Sequence, residues 1–239
     1  TLVSPNLFNR WGIDGDLSDI LGMHYWGADR FNPAQLITYT FMHSTQDITH
    51  LLFNMLAVYM FGVPLEYRWG SKRFLFYYFV TGLGAAVVQQ FIWTVEFQPI
   101  VTAMNEAISA NSGRGLLAYQ DQLSRYFRFE NLGLFDAQHV FELKKMYLNL
   151  PVTVGASGAV FGILLAFGWL FPDVKLMMLF FPVPIRARIF VIIYGVAELF
   201  LGVANFTGDN VAHFAHLGGM LFGIILILVW KKKNGRTYL

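Results

Sequence analysis

The chain has 239 residues, of which 56% are hydrophobic and only 13% charged, against about 25% charged in an ordinary soluble domain. A formal charge of +2 gives nucleic acid no electrostatic footprint, and the lack of cysteine removes disulfides, zinc–thiolate sites and a thiol nucleophile. The balance suits lipid as solvent, and it predicts an all-α, polytopic membrane helix bundle.

Residues 1–46 are mixed. Pro5, Gly12, Gly15 and Pro33 set turns, and Trp11, Tyr25, Trp26 and Phe31 stand among polar residues. The pattern predicts an extramembrane segment at headgroup level, where amphipathic rings are favoured. It lacks the basic stretch and apolar core of a targeting peptide. Five apolar runs follow, over about Ile48–Val63, Phe74–Val95, Val152–Phe171, Ile189–Ala204 and Val211–Trp230. Each is near the roughly 17–25 residues that span a bilayer. These runs divide the rest of the chain into membrane helices over 47–95, an insertion over 96–150, and membrane helices with a basic tail over 151–239. The insertion breaks at Asn111-Ser112-Gly113 and then carries Leu116, Leu117, Tyr119, Leu123, Tyr126 and Phe127 at roughly helical spacing, which predicts two or three amphipathic helices on the outer surface.

Charge sets the orientation. Arg68, Lys72 and Arg73 follow the first run, Lys175, Arg186 and Arg188 the third, and Lys231, Lys232, Lys233 and Arg236 the last, so by alternation all ten share one side. The positive-inside rule makes that side cytoplasmic and puts the start of the chain outside.

Topology then gathers polar residues. The first, third and fifth runs travel the same way, and Ser157 and His216 each lie five residues past their starts, about 7–8 Å below the outer end. His50 and Asn54 share one face of the first run. On the last helix His216 and the glycines Gly219 and Gly223 project together, while Gly158 and Gly162 form a small-residue face around the serine, so two helices can approach closely. A serine hydroxyl becomes a nucleophile when a base within hydrogen-bond reach takes its proton, and His216 is the matching base. Attack on an amide carbonyl builds charge on oxygen. His50, Asn54 and the Ser157 N–H near a helix N-terminus supply donors for it.

The remaining polar residues read as structural. His213 is expected to be a hydrogen-bonded residue near the interface, and Glu198 to pair with a polar group of the bundle. Gln89 and Gln90 suit interhelical hydrogen bonds. Ser44, Thr45 and Asp47 beside His43, and Asp209 before the last run, suit helix caps. Metal binding by His50, His213 and His216 has neither an HExxH pattern nor a thiol in support.

These residues form motifs that resemble the rhomboid intramembrane serine proteases, in particular bacterial ones. The motifs are His50-Leu51-Leu52-Phe53-Asn54, Glu66-Tyr67-Arg68-Trp69-Gly70, Gly155-Ala156-Ser157-Gly158, and Ala215-His216-Leu217-Gly218-Gly219 with Gly223. Four motifs in family order on alternate helices make the resemblance specific over residues 31–95 and 151–230. It implies cleavage of transmembrane protein substrates near the outer face of a bacterial cytoplasmic membrane, without a cofactor. Ser157 is then the nucleophile, His216 the general base, and His50 and Asn54 the oxyanion donors. The rival reading is a relative that binds membrane helices without cutting them. The resemblance also implies a six-helix core, so a further helix is expected before Thr1. Ala34-Gln35 stands where the family often carries Trp-Arg.

Overall fold

The computed structural model describes residues 17–43, 48–129, 131–178, 181–204 and 211–234. Ser44, Thr45, Asp47, Asp209, Arg236 and the turn and aromatic residues before Leu17 lie outside the described residues. The chain divides into two compact units. The first takes the described residues up to Met23 with those of Asn32–Gln89 and from Thr153 on; the second takes His24–Phe31 and Gln90–Val152.

Among the described residues, four helices are long and apolar enough to cross a membrane, which makes this an integral membrane protein. The first, α1, runs Ile48–Trp69 and includes a π-helical stretch over Val58–Gly62. That stretch sits just before Pro64, which has no N–H to offer the preceding turn. Gly70, at φ 79°, ends α1 and turns the chain into α2. There Trp69 meets Trp230 edge-on at 5.4 Å, and the Arg73 guanidinium lies 4.0 Å from the Trp230 ring centroid. The helix α2 covers Ser71–Ser109, continuing well past the end expected at Val95. The reason is that Ile100, Met104 and Ala107 extend an apolar face at helical spacing, buried in the core of the second unit.

That core also takes Leu116, Leu123, Leu132 and, from α3 over Ala137–Leu148, Val140, Leu143 and Tyr147. The segment expected to form amphipathic helices after Asn111 is therefore less regular. Gly113–Tyr119 is a 3-10 turn and Gln120–Leu123 a single helical turn, leaving Leu117 and Tyr126 exposed. Asp136 caps α3 by accepting the His139 N–H at 2.9 Å. Gln90 does not bond to another helix: its side chain donates to the His24 carbonyl and accepts from the Trp26 N–H.

In the first unit, α4 covers Ser157–Leu170. The third apolar run is thus helical only from Ser157, because Gly155 adopts φ 126° and breaks the ladder before it. At 14 residues α4 is about 21 Å long, shorter than the roughly 30 Å hydrocarbon core. It is buried nearly all round, as an evenly apolar helix must be. A hairpin follows, β1 (Lys175–Met178) antiparallel to β2 (Phe181–Arg186), with Lys175 opposite Arg186 and Leu176 opposite Ile185. Asp173 holds Arg188 at 3.3 Å beside it. Two further long helices follow, α5, Ala187–Ala204, and α6, His213–Asn234. Ile192, Val196, Phe200 and Val203 line one exposed apolar face of α5, suited to lipid, while Val191 and Glu198 are buried on the other.

Candidate active site

The serine stands at a helix start rather than one turn inside it. Ser157 is the first residue of α4 and is half-buried, so its N–H belongs to the turn whose donors have no partner within the helix. The loop before it is braced from two sides. Gly155 donates its N–H to the Tyr39 carbonyl at 2.9 Å, and the buried Tyr39 hydroxyl donates to the Gly82 carbonyl on α2 at 2.8 Å. Gly155 is also where side-chain space runs out: a Cβ there would lie 2.8 Å from His50 Cε1 and 3.7 Å from Ser157 Oγ. This brings His50 of α1 to the serine. Asn54, one turn further along the same face of α1, is buried, and its Nδ2 has no hydrogen-bond partner among the described residues.

His216 reaches the serine because α4 and α6 pack backbone to backbone. A Cβ at Gly219 would fall on the Gly158 carbonyl oxygen, and one at Gly158 would lie 2.5 Å from Ala85 Cβ. The His216 Nε2 sits 2.8 Å from Ser157 Oγ. The imidazole is 8% exposed and stacks on Phe161 at 4.3 Å between centroids, tilted by 5°. That ring holds the imidazole plane, so only its two nitrogens remain for polar contacts. Both are used. Nδ1 lies 2.8 Å from Glu198 Oε2, and the same oxygen lies 2.7 Å from His213 Nδ1. The expected bundle partner of Glu198 is therefore a pair of histidines.

A family model of the rhomboid domain matches residues 30–101 and 130–233. The chain belongs to the rhomboid family. Rhomboid relatives include a mitochondrial rhomboid protein of Schizosaccharomyces pombe described as uncharacterized, 27% identical over 83% of this chain and 52% of its own length. Rhomboid protein 1, mitochondrial, of Saccharomyces cerevisiae is 28% identical over 76% of this chain and 38% of its own. The rhomboid protease AarA of Providencia stuartii is 24% identical over 76% of this chain and 51% of its own. The chain thus spans about half the length, or less, of these curated relatives. Two of the three are mitochondrial, so the relatives do not single out the bacterial cytoplasmic membrane expected from the motifs. No solved structure matches significantly.

Within the rhomboid domain, Gln35 of the Ala34-Gln35 pair works as a loop brace. Its side chain is buried, donates to the Ile20 carbonyl at 3.0 Å and accepts the Asn32 N–H at 3.1 Å. The His43 ring lies beside His50, 5.6 Å between centroids with the planes inclined by 57°. Among the described residues, Glu198, His213 and His216 form the one group close enough to hold a metal ion. The oxygen-to-nitrogen separations of 2.7 and 2.8 Å are nonetheless those of hydrogen bonds. Two ligands on a tetrahedral zinc stand about 3.3 Å apart. His50, included in the sequence-based metal set, is not part of this group.

Proposed function

We propose that this rhomboid chain is an intramembrane serine endopeptidase that cleaves transmembrane protein substrates. The observation that supports it best is the 2.8 Å contact between His216 Nε2 and Ser157 Oγ, the distance at which a base takes a hydroxyl proton. In the reaction, Ser157 Oγ bonds to the scissile carbonyl carbon while its proton passes to His216 Nε2. The carbonyl electron pair moves onto oxygen, where His50, the Asn54 amide and the Ser157 N–H at the positive end of α4 act as donors. Collapse of the intermediate breaks the C–N bond, with His216 returning the proton to the leaving amine. Water then repeats the sequence on the acyl-enzyme. The donor set belongs to the first two turns of α1 and the serine to the start of α4, away from Arg68, Lys72 and Arg73, so the cut falls near the membrane face opposite the basic connections.

Labelling of the detergent-solubilised protein by a fluorophosphonate probe, alongside cleavage of a transmembrane substrate in liposomes, tests the proposal. Ser157→Ala and His216→Ala are expected to abolish both while circular dichroism stays unchanged. Asn54→Ala is expected to keep Ser157 reactive but lower turnover about 10²–10³-fold, as loss of one oxyanion donor does. A folded wild-type chain that is neither labelled nor active would leave the helix-binding reading in its place.

A further inference from the structure

Glu198 is a carboxylic acid inside a membrane-crossing helix, 8% exposed, and the Ser–His reaction above assigns it no task. An intramembrane carboxylate is expensive unless paired, and such groups are retained where they do chemistry. Its position is built rather than incidental. It shares the buried side of α5 with Ala187 and Val191, about three and about two helical turns away, opposite the exposed Ile192, Val196 and Phe200. Further along α5, Gly202 admits α6: a Cβ there would lie 3.2 Å from His213 Cβ and 3.1 Å from the Phe214 ring. That approach seats both histidines of α6 over the carboxylate.

We infer that Glu198 is a positioning residue that, steadied by His213, holds His216 in the tautomer that accepts the serine proton. The inference deepens the peptidase reading and rests on it. A carboxylate oxygen only accepts, so the two short contacts to Oε2 put the proton of each histidine on Nδ1. With Nδ1 protonated, His216 Nε2 carries the lone pair that faces the Ser157 hydroxyl at 2.8 Å. Phe161 fixes the ring plane but makes no choice between its nitrogens; the carboxylate does. When Oγ bonds to the carbonyl carbon and its proton arrives on Nε2, the ring becomes an imidazolium. Its Nδ1–H bond to Glu198 is then charge-assisted in a water-poor setting, where such bonds are strongest. No proton passes to Glu198, and the one on Nε2 leaves with the amine. The second bond from His213 keeps Oε2 at His216 through that cycle, since a carboxylate with one partner could rotate away.

The decisive variant is Glu198→Gln, which keeps size and removes charge. Its amide can donate to Nδ1 and so stabilises the opposite tautomer. In a folded variant kcat and the fluorophosphonate labelling rate are expected to fall together by about 10³–10⁴-fold with KM little changed, the pattern of a group acting only in the transition state. Histidine 15N NMR of the wild-type protein provides a readout independent of that variant's folding. His216 should show a protonated Nδ1 and a bare Nε2. A Glu198→Gln protein that folds and turns over at the wild-type rate, or a wild-type His216 protonated on Nε2, overturns the role of Glu198 while leaving the peptidase reading intact. A wild-type chain that the probe does not label overturns the peptidase reading and this inference with it.

Discussion

Around Ser157 the decisive residues are small, and each is small for a stated reason. Gly155 is required twice, by φ 126° and by His50 standing where its Cβ would be. Ser157, His216, His50 and Asn54 were legible from motif spacing, because hydroxyl, imidazole and amide groups are rare enough in apolar runs to stand out. The bond from Glu198 to His216 was not legible, since it joins residues 18 apart on two different helices. His43 adds a pH dependence. Burial first, and the neighbouring His50 charge second, hold its imidazole below the ordinary value of 6.5. The folded chain therefore prefers the neutral ring, and this contribution to stability is full above that ordinary value. It is lost as pH falls below it toward the depressed folded value, because the unfolded chain takes up the proton first. Thermal melts in detergent should show a midpoint that drops between about pH 7 and pH 5, and His43→Gln should flatten that drop. An unaltered slope in the variant would assign the effect to another group.

At the scale of elements, the contact of α4 with α6 decides whether a base meets the serine. Both helices are apolar nearly all round, so the hydrophobic pattern alone does not say which faces touch. The glycines do. Gly219→Ala would drive a methyl group onto the Gly158 carbonyl, and overpacking of this kind costs about 1–3 kcal/mol. The variant is expected to lower the melting midpoint and the probe-labelling rate together. Gly115→Ala, where nothing lies within 4 Å of the added Cβ, should change neither. The expected depth of Ser157, one turn into a helix from Val152, was displaced by the positive φ at Gly155, a conformation that apolar periodicity does not register. The length of α2 was underestimated for a related reason. Composition turns polar after Val95, yet one apolar face continues through Ile100, Met104 and Ala107.

At the scale of the whole molecule, the absence of cysteine makes orientation directly testable. Single cysteines replacing Lys72, in the first turn of α2, and Val211, just before α6, should react with a membrane-impermeant maleimide from opposite sides of sealed proteoliposomes. Reaction of both from one side would overturn the alternating topology. The segment 96–150 belongs to the same scale. Its nine-residue buried core, from Ile100 to Tyr147, gives it a packing identity of its own. The family match falls silent between residues 101 and 130, inside this segment.

The sequence by itself determined the solvent, the class of fold, the order of the membrane helices, and the four polar residues that the motifs single out. Those properties follow from composition and from periodicity along one helix, and both are local. Only the tertiary structure decided that Ser157 opens its helix, that Tyr39 braces the loop before it, that Phe161 stacks on His216, and that one carboxylate serves two histidines. Each of these depends on which faces of different helices meet. That is settled by close packing at glycines and by pairing buried polar groups, two conditions that the whole bundle must satisfy at once.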